Sequence, residues 1–117
     1  MIKIEAVVRP ERVNVVLEAM VEAGCRGYSY YNVTGRGQQQ GVEVFTGRGG
    51  QVMSRASVPK TVIVTVVRDD QKDAVIGAIL SSARSQGEGA IGDGKIFITP
   101  VTEVVRIRTG ERDSAAL

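Results

Sequence analysis

The chain has 117 residues, a formal net charge of +2 and no histidine. This length suits one domain with a single core, and so small a charge gives no reason to expect nucleic acid as a partner. Without histidine, the chain lacks the commonest general base and a common transition-metal ligand, so we do not expect an enzyme. Cys25 is the only cysteine and no apolar stretch is long enough to span a bilayer, so we expect a cytoplasmic protein without direct membrane insertion.

The beginning of the chain has the pattern of a strand, a helix and a second strand. Apolar and polar residues alternate over residues 2–8, which predicts a strand. Pro10 can open a helix, apolar residues then recur at helical spacing, and Gly24 is expected to end it. A second strand is predicted from Tyr28 to about Val33.

The same pattern restarts after a long loop. Residues 61–67 are rich in β-branched side chains and predict a strand, and Asp69 is a suitable N-cap for a second helix. A last extended segment is predicted from Ile96 to about Ile107, interrupted at Pro100. Two successive β-α-β units predict an α+β sandwich of the ferredoxin-like, split βαβ type (βαββαβ), in a single domain spanning residues 1–117.

The strand over residues 61–67 is apolar on both faces. Val62, Val64 and Val66 lie on one face, and Ile63 and Val67 lie on the other. Two helices cover only one face of a four-stranded sheet, and strands that are apolar on both sides are typical of sheets with two buried faces. We therefore expect a homo-oligomer in which another copy covers the second face; the alternative is a second face that stays half exposed.

The loop over residues 37–58 is rich in glycine, glutamine and arginine. Loops of this length are usually functional or disordered. Apolar Val44 and Phe45, together with Arg48 and Arg55, are the side chains expected to contact a partner. The composition favours a partner-binding arm that orders on contact, and the alternative is an insertion without a role.

A glycine-rich turn near residue 92 has the chemistry of a phosphate site. The sequence Gly92-Asp93-Gly94-Lys95 has P-loop spacing, but Ile96 replaces the hydroxyl residue of that motif and a strand follows instead of a helix. Closely spaced glycines still allow an anion-binding nest, with Lys95 supplying charge. Arg106 and Arg108, two positions apart on the predicted last strand, would point to the same side and could clamp a polyphosphate; the alternative is that each of these features is structural or solvated.

Residues 91–111, IGDGKIFITPVTEVVRIRTGE, closely resemble the C-terminal signature of the PII family of nitrogen regulatory proteins. The opening KIEAVVRPERVNVVLEAMVEAG is similar to the family's first strand and helix, and VTGRGQQQG and PKTVIVTVV match its middle. The resemblance covers nearly the whole chain outside the loop. It implies a homotrimer that binds adenine nucleotide and regulates a target protein through its long loop.

In the PII family the nucleotide, ATP or ADP, lies between neighbouring subunits. The resemblance implies that the phosphates are held by the glycine-rich turn and the two tail arginines, and the nucleoside by residues near the second and third long strands. Gln38 stands where the family usually has a phosphate-contacting arginine, and Arg36 replaces an aromatic residue. The implied nucleotide-binding residues are Gly27, Ser29, Gly35, Gly37, Gln38, Val66, Gly92, Asp93, Gly94, Lys95, Arg106 and Arg108.

Family members that sense 2-oxoglutarate bind it through Mg²⁺ already held by ATP. The resemblance implies that Gln39 and Lys60 hold this effector, that Gln39 also contributes to the metal site, and that backbone amides near Gln40 and Gly41 assist. A dicarboxylate of this kind needs a cationic partner, amide donors and a metal to offset its desolvation. Because ADP lacks the γ-phosphate that helps to hold the metal, the effector should bind poorly beside ADP.

The resemblance leaves the regulated partner open. The GRG sequence followed by glutamines, and an insertion at residues 86–88, are similar to the nitrogen-fixation branch, which implies a nitrogenase component as target. An ammonium transporter is the competing target, with Arg48 near the position of the family's plugging arginine. The loop has no tyrosine, so the family's uridylylation cannot operate there. Two alternatives remain: a divergent member that senses another metabolite, such as bicarbonate with ADP or AMP, and, more remotely, an RNA-binding module.

Overall fold

The computed structural model describes residues 1–36 and 57–117 in full, and residues 43–45 and 52–54 by their backbone alone. Among the described residues, no helix is long and apolar enough to cross a bilayer. Three short 3-10 turns supplement the main elements, at Pro10–Arg12, Asp69–Gln71 and Asp113–Ala116. In chain order the main elements are β1 (Ile2–Val8), α1 (Val13–Glu22), β2 (Ser29–Gly35), β3 (Glu43–Phe45), β4 (Val52–Ser54), β5 (Val58–Val67), α2 (Lys72–Ala83) and β6 (Gly94–Pro100).

The four long strands form one sheet in the order β2-β5-β1-β6, with every neighbouring pair antiparallel. A separate two-stranded sheet pairs β3 with β4. In the large sheet, each β-α-β unit has its two strands separated by a strand of the other unit. This is the split βαβ arrangement, so the ferredoxin-like prediction is confirmed.

The core lies between one face of the large sheet and the two helices. Every second residue of β1 is buried, as the two-residue period of a strand requires. The helices contribute residues three and four positions apart, which fall on one helical face. The most deeply buried core side chains are Ile4, Ala6, Val16, Met20, Ile63, Val75 and Ile79.

The predicted end of α1 at Gly24 is confirmed. Gly24 has φ +100°, and its N–H donates to the carbonyl of Val21 at 3.0 Å. The next N–H, of Cys25, donates to the carbonyl of Met20 at 3.0 Å. These two bonds form a Schellman motif, in which a left-handed residue lets the chain turn back on the last helical carbonyls.

The starts of the helices differ from the sequence expectation. Pro10 opens a 3-10 turn before α1, and Asp69 is not the N-cap, because it lies inside the turn that precedes α2. The extended residue before that turn is Arg68. The Asp69 carboxylate instead accepts a hydrogen bond from the amino group of Met1 at 2.8 Å. A contact between residues 68 positions apart cannot be read from a local pattern.

The face of the sheet opposite the helices carries apolar side chains on β5, as predicted, next to the charged pair Lys3–Glu5 on β1. Directly paired residues of a sheet share a face, and Tyr31 pairs with Val62 while Glu5 pairs with both Val64 and Phe97. Tyr31 and Phe97 are each about half exposed, at 50% and 51%. This surface, here called the open face, carries side chains of a kind normally buried, and neither helix covers it.

The observed strand boundaries differ from the predicted ones by a few residues, with one larger difference at the C-terminus. β2 runs two residues beyond the predicted end, and β5 begins at Val58 instead of residue 61. β6 ends at Pro100, after which the chain forms turns closed by a single bridge between Val105 and Arg112. The prediction of one extended segment to Ile107 is therefore wrong, because Pro100 ends the ladder and the following residues pair with each other.

Candidate functional site

The strand register divides the candidate residues between two ends of the large sheet. At one end, called the turn end, β1 finishes and β6 starts at Gly94. At the other, called the tail end, β1 starts and β6 finishes at Pro100. Lys60 and Val66 lie on β5 towards opposite ends. At about 3.3 Å per residue, they are roughly 20 Å apart.

The turn end brings together the last residue of β2, the first part of β5 and the glycine-rich turn. The Lys60 ammonium group donates a hydrogen bond to the carbonyl oxygen of Gly92. Gly35 pairs with Val58, two residues before Lys60 on the same strand. The candidate residues at this end are Gly35, Lys60, Gly92, Asp93, Gly94 and Lys95.

The tail end holds a second group of candidates. The Thr65 hydroxyl donates to the carbonyl of Gly27 at 2.6 Å, which fixes the chain just before β2. Beyond Pro100, the Val101 N–H donates to the carbonyl of Met1 at 3.0 Å, so the tail leaves the sheet at this end. The candidate residues grouped here or carried by the tail are Gly27, Ser29, Val66, Arg106 and Arg108.

Backbone geometry explains the glycines of the turn. Gly92 has φ +97° and Gly94 has φ +122°, both in the region that favours glycine. A β-carbon at position 94 would lie 1.8 Å from the carbonyl oxygen of Val7, a backbone atom that cannot move aside. The turn can therefore pack against β1 only with glycine at position 94.

The Asp93 carboxylate is the organising group of the turn. It accepts hydrogen bonds from the Ser85 N–H at 2.9 Å, the Ala90 N–H at 2.9 Å, the Ser85 hydroxyl, and Nε of Arg9 at 3.1 Å. Partial burial, with the side chain 18% exposed, would by itself raise the pKa of Asp93. The hydrogen bonds from Ser85, Ala90 and Arg9 outweigh that effect and hold the pKa well below its usual value. Asp93 is therefore an ionised, internally bound group that ties the turn to α2 and to the end of β1.

Two cations contact the backbone of the turn from the neighbouring strands. Arg9 Nη2 donates to the carbonyl of Ile91 at 2.9 Å, and Lys60 donates to the carbonyl of Gly92. Burial lowers the pKa of Lys60, and the adjacent positive charge of Arg9 lowers it further; Glu11 and Asp93 act in the opposite direction. The turn end thus concentrates positive charge beside a glycine-rich backbone, the chemistry suited to binding an anion.

The tail carries its charges in a more exposed setting. Nη1 of Arg106 contacts the Glu111 carboxylate at 3.0 Å, with the two side chains 37% and 45% exposed. A second exposed ion pair joins Arg112 to Glu103. Arg108 is exposed and lies in a turn. Because Arg106 and Arg108 are not on a strand, the expectation that strand alternation aligns them is wrong.

Several candidates fall outside the described residues. They are the nucleotide candidates Gly37 and Gln38, the effector candidates Gln39, Gln40 and Gly41, and the loop arginines Arg48 and Arg55. The described backbone includes Val44 and Phe45, which belong to β3. Their proposed roles remain predictions.

Arg9 and Ser85 belong to the site but were not predicted from the sequence. Arg9 and Asp93 are 84 positions apart, and Ser85 precedes Asp93 by eight, so neither pairing has a local signature. The available signal for Arg9 is its position directly after β1. Since Val8 pairs with Gly94, the next step of the register places Arg9 beside Asp93, the residue before β6.

Comparison with known proteins gives a consistent result across sequence and structure. A family model described as nitrogen regulatory protein P-II matches residues 1–111. Nitrogen regulatory protein P-II 2 of Methanothermobacter thermautotrophicus is 45% identical over 116 residues, covering 98% of this chain and 96% of the relative. The nitrogen fixation nifHD region GlnB-like protein 1 of Methanothermococcus thermolithotrophicus is 42% identical over 108 residues, covering 92% and 94%. The crystal structure of Arabidopsis thaliana PII bound to citrate is 37% identical with a TM-score of 0.76, covering 99% of this chain and 91% of that one.

Proposed function

The chain belongs to the P-II family of nitrogen regulatory proteins, and we propose that it is a homotrimeric signalling protein with nucleotide sites between its subunits. Each site binds ATP or ADP. With ATP and Mg²⁺ in place it binds 2-oxoglutarate, and the loop over residues 37–58 reports the bound state to a target protein. The protein acts as a regulator and not as an enzyme.

The observation that carries this proposal is the separation of the two phosphate-binding groups. The turn at Gly92–Lys95 and the tail arginines Arg106 and Arg108 are candidates for the same phosphates, yet the turn and the start of the tail lie at opposite ends of one sheet. A single rigid sheet cannot bring its two ends to one ligand. The groups converge if the turn end of one copy faces the tail end of a neighbour, so the site is incomplete without a second copy.

The open face supports assembly independently of the nucleotide. Tyr31 and Phe97 remain half exposed there, and Val64 and Val66 are only partly buried. Burying apolar surface is favourable by about 25 cal/mol per Å². Three copies that turn their open faces towards a common axis would remove these side chains from water.

Two glycines at the site are not explained by packing within the subunit. A β-carbon at Gly27 or Gly35 would meet no atom of the described residues within 4 Å, and neither residue has a positive φ. These positions contrast with Gly94, where the subunit's own backbone excludes any side chain. A ligand or a neighbouring subunit lying close to the backbone would explain glycine at positions 27 and 35.

The positive charges at the turn end suit an anionic effector that binds together with a metal ion. Within the described residues, no cluster of acidic, histidine or cysteine side chains could hold a metal ion. Mg²⁺ would therefore be held mainly by oxygen atoms of ATP and of the effector, with Gln39 assisting. Lys60 would supply the positive charge for an effector carboxylate. Its ammonium group would release the Gly92 carbonyl and donate to the carboxylate instead. The Arabidopsis relative bound to citrate shows that a P-II protein accommodates a polycarboxylate.

The proposed target of the loop is a nitrogenase component. One relative at 42% identity is encoded in a nitrogen-fixation nifHD region, as its name states, which favours a nitrogenase component. An ammonium transporter is the alternative target. In either case Val44, Phe45, Arg48 and Arg55 are the loop side chains proposed to contact the partner.

Calorimetric titration of 2-oxoglutarate tests the sensing role. The effector should bind tightly to the protein loaded with Mg-ATP, and weakly or not at all to the protein loaded with ADP. Lys60→Gln should weaken effector binding most, because it removes the proposed cationic partner. Nucleotide binding without any response to 2-oxoglutarate would contradict the sensing role and favour a member that responds to another metabolite, such as bicarbonate with ADP or AMP.

A further inference from the structure

The cations at the turn end bind the backbone of the turn through its carbonyl oxygens. Arg9 follows β1 and Lys60 lies on the adjacent β5, so the two side chains approach the turn from neighbouring strands. Arg9 binds the Ile91 carbonyl and Lys60 binds the Gly92 carbonyl. Two consecutive carbonyls are thus fixed by positive charges.

Fixing a carbonyl also fixes the N–H of the same peptide unit. In a planar trans peptide the C=O and N–H bonds point in opposite directions. The Ile91 carbonyl bound by Arg9 therefore directs the Gly92 N–H away from Arg9. That N–H makes no hydrogen bond within the described part of the chain, whereas the next one, of Asp93, donates to the Ala90 carbonyl at 3.1 Å. Among the residues that the structure describes, the Gly92 N–H is thus an oriented donor without an acceptor.

Arg9 itself is held in place by the Asp93 carboxylate. Its Nε donates to Asp93 at 3.1 Å while Nη2 donates to Ile91 at 2.9 Å, so one planar guanidinium joins the side chain and the backbone of the same turn. A lysine has a single nitrogen and cannot make both contacts in this fixed geometry. Asp93 is anchored in turn by Ser85 and Ala90.

We propose that Arg9 is a positioning residue of the phosphate site: it orients the turn so that the Gly92 N–H faces the phosphate, without contacting the phosphate itself. This rests on the proposed function, because it assumes that nucleotide phosphates bind at the turn. Without Arg9, the Ile91 carbonyl loses its hydrogen-bond donor, and the Ile91–Gly92 peptide can rotate to present this oxygen to the anion. Arg9 therefore favours phosphate binding by preventing that repulsive orientation.

Amide hydrogen exchange in the nucleotide-free protein tests the positioning role directly. Arg9→Gln should accelerate exchange of the Ala90 and Asp93 amides on the order of tenfold, because the turn that holds both loses its charged clamp. Arg12→Gln is the matched control. Arg12 also binds a backbone carbonyl, that of Ser82, but does not touch the turn, so exchange at residues 90–93 should be unchanged.

Calorimetry with Mg-ATP, at two ionic strengths, separates positioning from direct phosphate contact. Arg9→Gln should weaken binding on the order of tenfold at both, because an orientation effect is not screened by salt. Arg9→Lys should also bind Mg-ATP weakly, since lysine restores the positive charge but not the simultaneous contacts with Asp93 and the Ile91 carbonyl. If Arg9→Gln does not fold, Arg9→Lys carries both measurements, with the same pattern expected.

The outcomes separate this inference from the proposed function. If the wild-type protein binds no nucleotide, the proposed function fails and the phosphate role of Arg9 fails with it. If the wild type binds nucleotide but exchange at Ala90 and Asp93 is unchanged in the variant, the inference fails alone. Faster exchange with unchanged ATP affinity would equally overturn it, and full rescue by Arg9→Lys would replace positioning with a simple charge effect.

Discussion

The turn end and the tail end of the sheet both carry candidate phosphate-binding groups, but they are organised in different ways. At the turn end, Asp93 is 18% exposed and bound by donors from three other residues, and glycine is required at position 94 by a backbone contact. At the tail end, Arg106 and Glu111 form a solvent-exposed surface ion pair. The turn is thus shaped by packing and hydrogen bonds within one subunit, whereas the arginine side chains of the tail lie at more exposed positions, with Arg106 in a solvent-exposed ion pair.

This contrast indicates where preorganisation for the ligand lies. In the proposed nucleotide site, the preformed turn would bind the phosphates first, and the arginines of a neighbouring subunit would then join them. Exposed pairs such as that of Arg106 contribute about 0–1 kcal/mol and exchange partners readily. We therefore expect mutations at the turn end to affect both stability and binding, and mutations in the tail to affect binding with little change in stability.

The largest effect is expected for Gly94→Ala. Its β-carbon would lie 1.8 Å from the Val7 carbonyl oxygen, at a φ of +122°, so β1 and β6 would have to separate. The free energy of unfolding should fall by at least about 3 kcal/mol. Urea denaturation at a fixed protomer concentration measures this. Gly77→Ala, at an exposed position of α2 without a positive φ, is the control, because a β-carbon there meets no atom of the described residues within 4 Å; an equal loss of stability in both variants would contradict the account.

Asp93→Asn should have the next largest effect. The amide keeps the shape of the carboxylate but offers one oxygen and places an NH₂ group against the N–H donors of Ser85 and Ala90. Removing one partner from a charged hydrogen-bond network costs about 2 kcal/mol of unfolding free energy. Asp73→Asn, at an exposed position in the first turn of α2, is the control and should change stability by less than about 0.5 kcal/mol.

Acid should remove the contribution of Asp93 in a defined pH range. Because folding lowers the pKa of Asp93, the stabilisation is complete above the unfolded-state value of about 4 and is lost as pH falls below it towards the folded-state value. The stability difference between wild type and Asp93→Asn should therefore be constant between about pH 6 and pH 8, and should shrink below about pH 4. If the stability difference between the two proteins did not change as the pH fell below about 4, Asp93 could not be ionised in the folded protein as assigned.

The smallest effect is expected for Glu111→Gln in the tail. Its pair with Arg106 is exposed, so stability should change by less than about 0.5 kcal/mol. Nucleotide affinity should rise by up to about threefold, because Arg106 no longer has an internal competitor for the phosphate. Glu103→Gln breaks the comparable pair with Arg112 and should leave affinity unchanged. A loss of affinity in Glu111→Gln would mean that Glu111 positions Arg106 instead of competing for it.

The features that the sequence predicts well are those set by local patterns. The alternation at Ile4, Ala6 and Val8, the two-sided strand at residues 62–67, and Gly24 at the helix end are local patterns, and each was confirmed. They follow from the periods of strands and helices and from the φ preference of glycine. The fold class follows from their order along the chain.

The contacts that the sequence did not predict join distant positions. The network around Asp93 includes Arg9, and the turn before α2 is joined to the amino group of Met1 through Asp69. Neither pairing is visible until the strands are placed side by side. The prediction for the tail failed for a different reason: residues 101–107 resemble a strand locally, but beyond Pro100 residues 104–106 pair with residues 110–113.

The central claim, that one subunit's turn and another subunit's tail form each nucleotide site, is tested most directly by mixing two inactive variants. Lys95→Gln alters the turn, and the double variant Arg106→Gln/Arg108→Gln alters the tail, so either homotrimer alone should bind Mg-ATP poorly. If the two proteins are unfolded, mixed in equal amounts and refolded together, about a quarter of the sites in random trimers combine an intact turn with an intact tail. Recovery of tight Mg-ATP binding at roughly that fraction of sites is the result we predict. No recovery, despite confirmed formation of mixed trimers, would show that each subunit builds its site alone and would contradict the account.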